Sequence, residues 1–375
     1  MRVLYKAYLV CVIIGMFGVI YFDPSGNVIS SYLHLIINRF KTCEIHSPLS
    51  DEYVYTDNNT WRILWYDIPV YLKKAVTYFE IHGQKCENVS LQCIISTDSS
   101  EIMRSNVVVF SESTLPKCPP FKRTSQIWCL NTMENGNFTT WPTEVWEKSF
   151  DWIMSYRRDA HVTRPYGKIL KLDKSNDRNY PDVFRQKTKF GVWMSSHCPT
   201  PSRREEYITQ LQKYIQVDTF GKCGQNTCGV QNPSMNECLK NFARDYKFYF
   251  SFENNICRDY STEKVFNLYE HNLSVIPVVN GPPQVTDYLP RGTFINALDF
   301  TSPESLAKKL TEIGSSENLY TQYLKEKDKY FSLNGLDIFR ESMCTICRKL
   351  DHMKGINRTI KASNAHVIKM YKTEC

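Results

Sequence analysis

Lys247–Lys264 reads KFYFSFENNICRDYSTEK, and the place where its hydrophobicity breaks decides the fold. The aromatic-rich run Lys247–Phe252 suits a buried strand; a polar loop follows, and Ser261-Thr262-Glu263 supplies the small hydroxyl and acidic residues that start helices. A second apolar run, Ser274–Val279, comes directly after. Strand, loop, helix and strand in that order is a crossover unit, whose strands lie parallel in one sheet.

Working outward, the same alternation repeats. Upstream, Phe190–Ser195 predicts a strand, Thr200-Pro201 an N-cap and first helical residue, and Tyr207, Ile208, Leu211, Tyr214 and Ile215 recur at helical spacing. Val217–Phe220 predicts the next strand. Downstream, Thr293–Ala297 predicts a strand and Ser302-Pro303-Glu304 a capped helix with Leu306, Leu310 and Ile313 on its apolar side. Short apolar runs also fall at Arg62–Trp65, Leu91–Ile95, Val107–Phe110 and Ile127–Leu130, separated by polar or mixed segments. The expected class is α/β, with a Rossmann-like sheet in the second half. The polar segment Lys171–Arg185 predicts the domain boundary.

The chain has 375 residues, with 46 Lys+Arg against 39 Asp+Glu, 42% hydrophobic and 23% charged residues. That composition excludes wholesale disorder and fibrous repeats. A net charge of +7, scattered and without a basic stripe, gives no footprint for nucleic acid.

Ala7–Phe22 carries no charge and follows Arg2 and Lys6. Counted from Val3, the apolar stretch is long enough for a helix to cross a thin bilayer, and the flanking cations place the N-terminus in the cytosol. A cleaved signal peptide is the alternative, but no small-x-small site stands directly after the run. Either reading sends the remainder through the secretory pathway. Of 14 cysteines, all but Cys11 lie beyond this segment, and sequons begin at Asn58, Asn88, Asn137, Asn272 and Asn357. That usage predicts disulfides in an oxidising compartment, and the odd number leaves at least one thiol free or paired with another chain. Cys344-Thr345-Ile346-Cys347 lacks the setting of a redox or zinc motif, and a structural disulfide, locally paired or not, is expected.

Two loop-to-helix junctions carry groups for an anionic ligand. Arg203 and Arg204 follow Pro201 where helix N–H groups favour negative charge. Lys264 stands in the first turn of a helix, a position that costs a cation a few tenths of a kcal/mol unless an anion is present.

Lys247–Lys264 resembles the signature of the α1,3-fucosyltransferases, which reads roughly YKFYLAFENSxCxDYVTEK. Phe150–Gly167 (FDWIMSYRRDAHVTRPYG) is similar to the family's WTMTYRRDSDxxxPYG. Val192–Gly224 is similar to its strand, basic helix start and closing VDxYGxCG, and Ile276–Val279 and Phe294–Phe300 fit as well. The resemblance covers about residues 125 to 350, and it implies a GT-B architecture of two Rossmann-like domains facing a cleft. The expected division is a cytosolic tail (1–6), a transmembrane signal anchor (7–22) and a stem (23–60). An acceptor-binding domain (61–180), a GDP-fucose-binding domain (186–350) and a C-terminal tail (351–375) follow.

The resemblance further implies a type II Golgi membrane enzyme with lumenal catalytic domains. It would move L-fucose from GDP-fucose to N-acetylglucosamine of a glycan or glycoprotein, with inversion. Matched residue by residue, Arg203 and Lys264 neutralise the diphosphate, Glu263 accepts hydrogen bonds from donor hydroxyls, and Tyr260 packs against or hydrogen-bonds the nucleotide. No Asp-x-Asp is present, so an obligatory metal bridging the diphosphate is not expected; some relatives respond to manganese, and a stimulating metal is the alternative. The family's base is a Glu in a segment like W-x-x-x-N-L-E-S-P. Trp128-Cys129-Leu130-Asn131-Thr132-Met133-Glu134 offers Glu134 at that spacing, with Asn135-Gly136 replacing the Ser-Pro and Glu112 as the runner-up. Tyr156-Arg157-Arg158-Asp159 reads either as an anchor between domains or as a substrate contact. The competing reading is a catalytically inactive, glycan-binding Golgi protein that retains the fold.

Overall fold

The computed structural model describes residues 59–82, 86–135, 146, 149–228 and 235–353. The expected anchor, nearly all of the expected stem and the tail beyond Met353 lie outside them. Among the described residues no helix is long and apolar enough to cross a membrane.

The first sheet is built from β1 (Thr60–Tyr66), β2 (Gln92–Ser96), β3 (Val107–Ser111), β4 (Ile127–Asn131), β5 (Trp152–Ser155) and β6 (Val162–Thr163). Their order is β2-β1-β3-β4-β5-β6, and every pair is parallel. A parallel sheet is covered on both faces, so its strands are apolar throughout rather than alternating with polar residues. In β3, Val107 and Val109 enter one core and Val108 and Phe110 the opposite one. The first core is closed by Ala75, Val76 and Phe79 of α1 (Lys73–His82). The second is aromatic: Trp128, Trp146 and Phe150 each meet the Phe110 ring.

β7 (Lys168–Lys171) and α2 (Tyr180–Gln186) lead to the second sheet. It comprises β8 (Lys189–Met194), β9 (Val217–Phe220), β10 (Tyr246–Ser251), β11 (Ile276–Val279) and β12 (Ile295–Asn296), with the order β12-β11-β10-β8-β9, again all parallel. Its crossovers include α3 (Arg204–Leu211), α4 (Met235–Asp245) and α5 (Glu263–Glu270). The expected α/β alternation is therefore present in both halves. α6 (Pro303–Ser315) begins as the sequence predicts: Ser302 caps it in a reciprocal capping box with Ser305, and Pro303 opens the first turn.

Three expectations need correction. Helix α3 starts at Arg204, not at Pro201. Thr200 is held instead by Glu205, whose carboxylate accepts from Thr200 N at 2.8 Å and Oγ1 at 2.9 Å. Second, Lys171–Arg185, expected as the domain boundary, contributes to regular structure at both ends. β7 pairs antiparallel with β13 (Tyr330–Leu333), and Tyr180, Val183 and Phe184 of α2 pack against the core of the second sheet.

Third, the C-terminal helix α8 (Gly335–Met353), which follows α7 (Glu317–Lys327) and β13, does not belong to the second sheet's core. Phe339, Met343, Ile346 and Leu350 pack with β1 and α1 in the first. Two disulfides fasten it there, Cys86–Cys344 and Cys93–Cys347, so the two cysteines of the Cys-x-x-Cys pair take separate distant partners. Asp351, placed in a tail by sequence reading, accepts from Trp61 Nε1 at 3.2 Å and from Ser90 N at 3.0 Å. Apolar periodicity shows that such a helix is amphipathic but not which sheet it covers. Among the described residues Cys129 of β4 is a free, buried thiol.

Candidate active site

In both sheets the strand order reverses beside the first strand. At that point loops from neighbouring strand ends diverge and leave a crevice at the carboxyl edge. The second sheet's switch point lies between β8 and β10. The residues singled out from sequence leave these strand ends: Arg203 after β8, and Tyr260, Glu263 and Lys264 after β10. Glu134 leaves the carboxyl end of β4 in the first sheet.

The turn after β8 is held close to β9. Cys198 is bonded to Cys223, and Gly221, at φ +84°, allows the approach because a Cβ there would stand 2.4 Å from Ser195 O. The two arginines then separate. Arg203 is the N-cap of α3 with φ 51°, and its exposed side chain pairs with Glu206. Arg204 is buried and donates to Phe252 O at 2.7 Å, Ser195 Oγ at 2.8 Å and His197 O at 3.0 Å. It ties the β8 and β10 ends together, while Arg203 remains available at the surface.

After β10 the organising group is Glu253, which sequence reading did not single out. Its buried carboxylate accepts from Thr262 N at 2.7 Å, from Thr262 Oγ1 and from Lys264 Nζ at 3.0 Å. Thr262 is the N-cap of α5, so this carboxylate fixes the helix start and aligns the lysine in its first turn. Burial lowers the Lys264 pKa, but Glu253 and Glu263 outweigh it and the net shift is upward. Lys264 therefore stays charged. Glu263 is exposed, with Oε1 3.4 Å from Lys264 Nζ. A Glu directly after the aromatic strand run was the available signal, but its partner lies nine residues on and is set by the packed loop.

Tyr260 is buried. Its ring meets Tyr156 at 4.9 Å and Tyr166 at 6.2 Å between centroids, both edge-on. Its side chain lies close enough to Glu134 to influence the carboxylate, so this tyrosine stands between the base candidate and the donor-side loop. Glu134 is open to solvent on one side, yet partial burial raises its carboxyl above the usual range. Nearby Glu263 and Glu112 add to that shift, and Lys264 and the Tyr260 side chain oppose it. The structure thus brings Glu134, Tyr260, Glu263 and Lys264 into mutual electrostatic range. Glu112, at the end of β3, accepts from Thr132 Oγ1 at 2.7 Å.

Arg158 joins the halves: its Nε donates to Asp259 Oδ1 at 2.9 Å and its Nη2 to Asp287 Oδ2 at 2.6 Å. Arg157 folds back on Asp159 through two hydrogen bonds. His161 Nδ1 accepts from Ile153 N at 3.2 Å, a structural use. Among the described residues no group of three or more His, Cys, Asp or Glu is placed to hold a metal ion.

Two family models match the chain. "Fucosyltransferase, N-terminal" covers residues 58–167, and "Glycosyltransferase family 10 (fucosyltransferase) C-term" covers residues 184–366. The chain is 30% identical over 250 residues to Alpha-(1,3)-fucosyltransferase C of Drosophila melanogaster, covering 62% of this chain and 56% of that protein. It is 28% identical over 365 residues to 4-galactosyl-N-acetylglucosaminide 3-alpha-L-fucosyltransferase 9 of Rattus norvegicus, covering 92% of each. The chain thus spans little more than half of the Drosophila relative and nearly all of the rat one. Among solved structures, one described as alpha1,3-fucosyltransferase with GDP-fucose is similar at 18% identity and TM-score 0.49, over 80% of this chain and 94% of that one.

Proposed function

Because the chain belongs to the fucosyltransferases of glycosyltransferase family 10, we propose that it transfers L-fucose from GDP-fucose, in α1,3 linkage, to N-acetylglucosamine of a glycan or glycoprotein, with inversion. The observation that carries the reading is the placement of Glu134, from the end of β4, within electrostatic reach of Lys264, which Glu253 holds at 3.0 Å at the carboxyl edge of the second sheet.

Each group has a task in a single displacement. As the glycosidic bond breaks, negative charge grows on the leaving diphosphate, and fixed cations aimed at it lower the barrier. Lys264 supplies one, aligned by Glu253, and Arg203 a second, free to swing from Glu206 to a phosphate. These cations meet the diphosphate charge without an obligatory metal, and manganese is at most a stimulant. Glu263 accepts hydrogen bonds from donor hydroxyls. Tyr260, beside Glu134, packs against or hydrogen-bonds the nucleotide. On the opposite face of the sugar, Glu134 takes the proton of the acceptor hydroxyl, and a carboxylate with a raised pKa is the stronger base for that step. We place the catalytic domains in the Golgi lumen behind a single N-terminal anchor, a reading supported by the apolar segment 7–22 and by four disulfides among the described residues.

The test is incubation of the lumenal part with labelled GDP-fucose and a panel of acceptors, with and without EDTA. Transfer that persists in EDTA supports the reading. Intact GDP binding without transfer to any acceptor sinks it in favour of an inactive glycan-binding protein. Mass spectrometry of the product separates the innermost chitobiose residue from an antennal one.

A further inference from the structure

Asn135 follows Glu134 directly, stands where the family pattern has Ser, and has no solvent exposure. A buried carboxamide brings two donors and one acceptor that must be satisfied inside the protein. Here the partners lie across the crevice. Asn135 Nδ2 donates to Asn254 Oδ1 at 3.2 Å, and Asn255 Nδ2 donates to Asn135 Oδ1 at 3.1 Å. The Tyr260 side chain lies near both Asn135 and Glu134.

The partners are themselves fixed. Asn254 O accepts from Ser202 N at 3.0 Å, next to Arg203. Asn255 Oδ1 accepts from Ile256 N at 2.9 Å. The neighbouring Glu253 holds Lys264. A single side chain of the first sheet therefore touches the segment that organises both donor cations.

We infer that Asn135 is a positioning residue that locks the Glu134 turn to the donor-side segment Asn254–Asn255, setting the reach of the base relative to the sugar nucleotide. Its carboxamide makes a two-way bridge: Asn135 donates to Asn254 and accepts from Asn255. Serine is too short to offer a donor and an acceptor to both asparagines at once. The family's Ser cannot reproduce this bridge. Glu134 is thereby placed by the opposite sheet as well as by its own strand.

This rests on Glu134 being the base, and the experiment separates the two claims. Asn135→Ala, Asn135→Ser, Asn255→Ala and Glu134→Gln are compared with the unaltered enzyme for kcat, for KM toward GDP-fucose, for the pH profile of kcat/KM and for thermal unfolding. The expected result for Asn135→Ala is a kcat loss of about 10-fold or more, with KM for the donor nearly unchanged. The acid limb of its profile should shift to higher pH, because a Glu134 turn released from the bridge drifts from Lys264, whose charge holds the carboxyl down. Asn135→Ser should resemble Asn135→Ala. Asn255→Ala should lower kcat, and combined with Asn135→Ala it should add little further loss. Should Asn135→Ala fold poorly, Asn255→Ala breaks the bridge from the other side. An unshifted acid limb in both single variants, or rate losses that track loss of folded protein, overturns the inference while Glu134→Gln remains inactive. Retained turnover in Glu134→Gln overturns the base assignment and this inference with it.

Discussion

Lys264 Nζ lies 3.0 Å from Glu253 Oε2, in a pair whose carboxylate side chain is 4% exposed and whose ammonium side chain is 24% exposed. Glu253 carries two further hydrogen bonds from Thr262, so the lysine leans on a carboxylate that is already satisfied. A cation held in this way keeps its charge and its direction before any ligand arrives. That arrangement is preorganisation in the electrostatic sense.

Lys264→Ala should abolish detectable GDP binding in calorimetry. It also leaves Glu253 short of one charged partner, at a stability cost of about 1–3 kcal/mol. Glu253→Gln probes the same pair differently. Burial lowers the Lys264 pKa and Glu253 raises it, so without the carboxylate the ammonium loses its proton at lower pH. GDP affinity of that variant should fall off earlier on the alkaline side. Equal alkaline limbs in variant and unaltered protein would contradict the assignment.

Arg203 and Arg204 are adjacent but should behave oppositely. Arg203→Ala removes an exposed, solvent-screened ion pair, so unfolding should barely change. Loss of a charge-assisted contact to phosphate should weaken GDP binding by about 10-fold or more. Arg204→Ala strips donors from Phe252 O, Ser195 Oγ and His197 O, and should destabilise the fold by about 2–4 kcal/mol. Thermal unfolding and GDP titration of the two variants read the contrast.

Glu134→Gln should spare GDP binding and remove turnover. Since partial burial raises its carboxyl, Glu134 stays protonated to a higher pH than an ordinary glutamate. A base works only when deprotonated, so activity should be lost on acidification above the usual carboxylate range, and the acid limb of kcat/KM should titrate one group. A limb at the ordinary glutamate position points to a different base, with Glu112 next in line.

The two disulfides on α8 close nearly the same loop, with sequence separations of 258 and 254 residues. Removing either by Cys→Ala leaves the other holding it, at a loss of about 2 kcal/mol by loop-closure entropy. Removing both frees α8 from the first sheet and should cost about 5 kcal/mol or more. A double loss above twice the single one, measured by denaturant unfolding, is the expected signature. Simple additivity would show that α8 is fastened mainly by its apolar face.

The strand candidates on both sides of Lys247–Lys264 were legible because parallel strands are apolar on both faces. Their crossover helices carry a different period, so the alternation survives in one dimension. The same local logic marked Ser302-Pro303 as a helix start. It misplaced the start of α3, because Thr200 has the side chain of a cap but gives it to Glu205 instead.

The sequence by itself determined a parallel α/β protein and, through motif resemblance, which residues stand at its strand ends. Tertiary structure decided that α8 covers the first sheet, that Glu253 rather than solvent faces Lys264, that Arg204 is buried while Arg203 is not, and that Asn135 reaches Asn254 and Asn255. The physical reason is range. Strand and helix patterns arise from neighbours a few residues apart, whereas a buried carboxylate or carboxamide must find partners wherever the packed chain brings them, here up to 120 residues away.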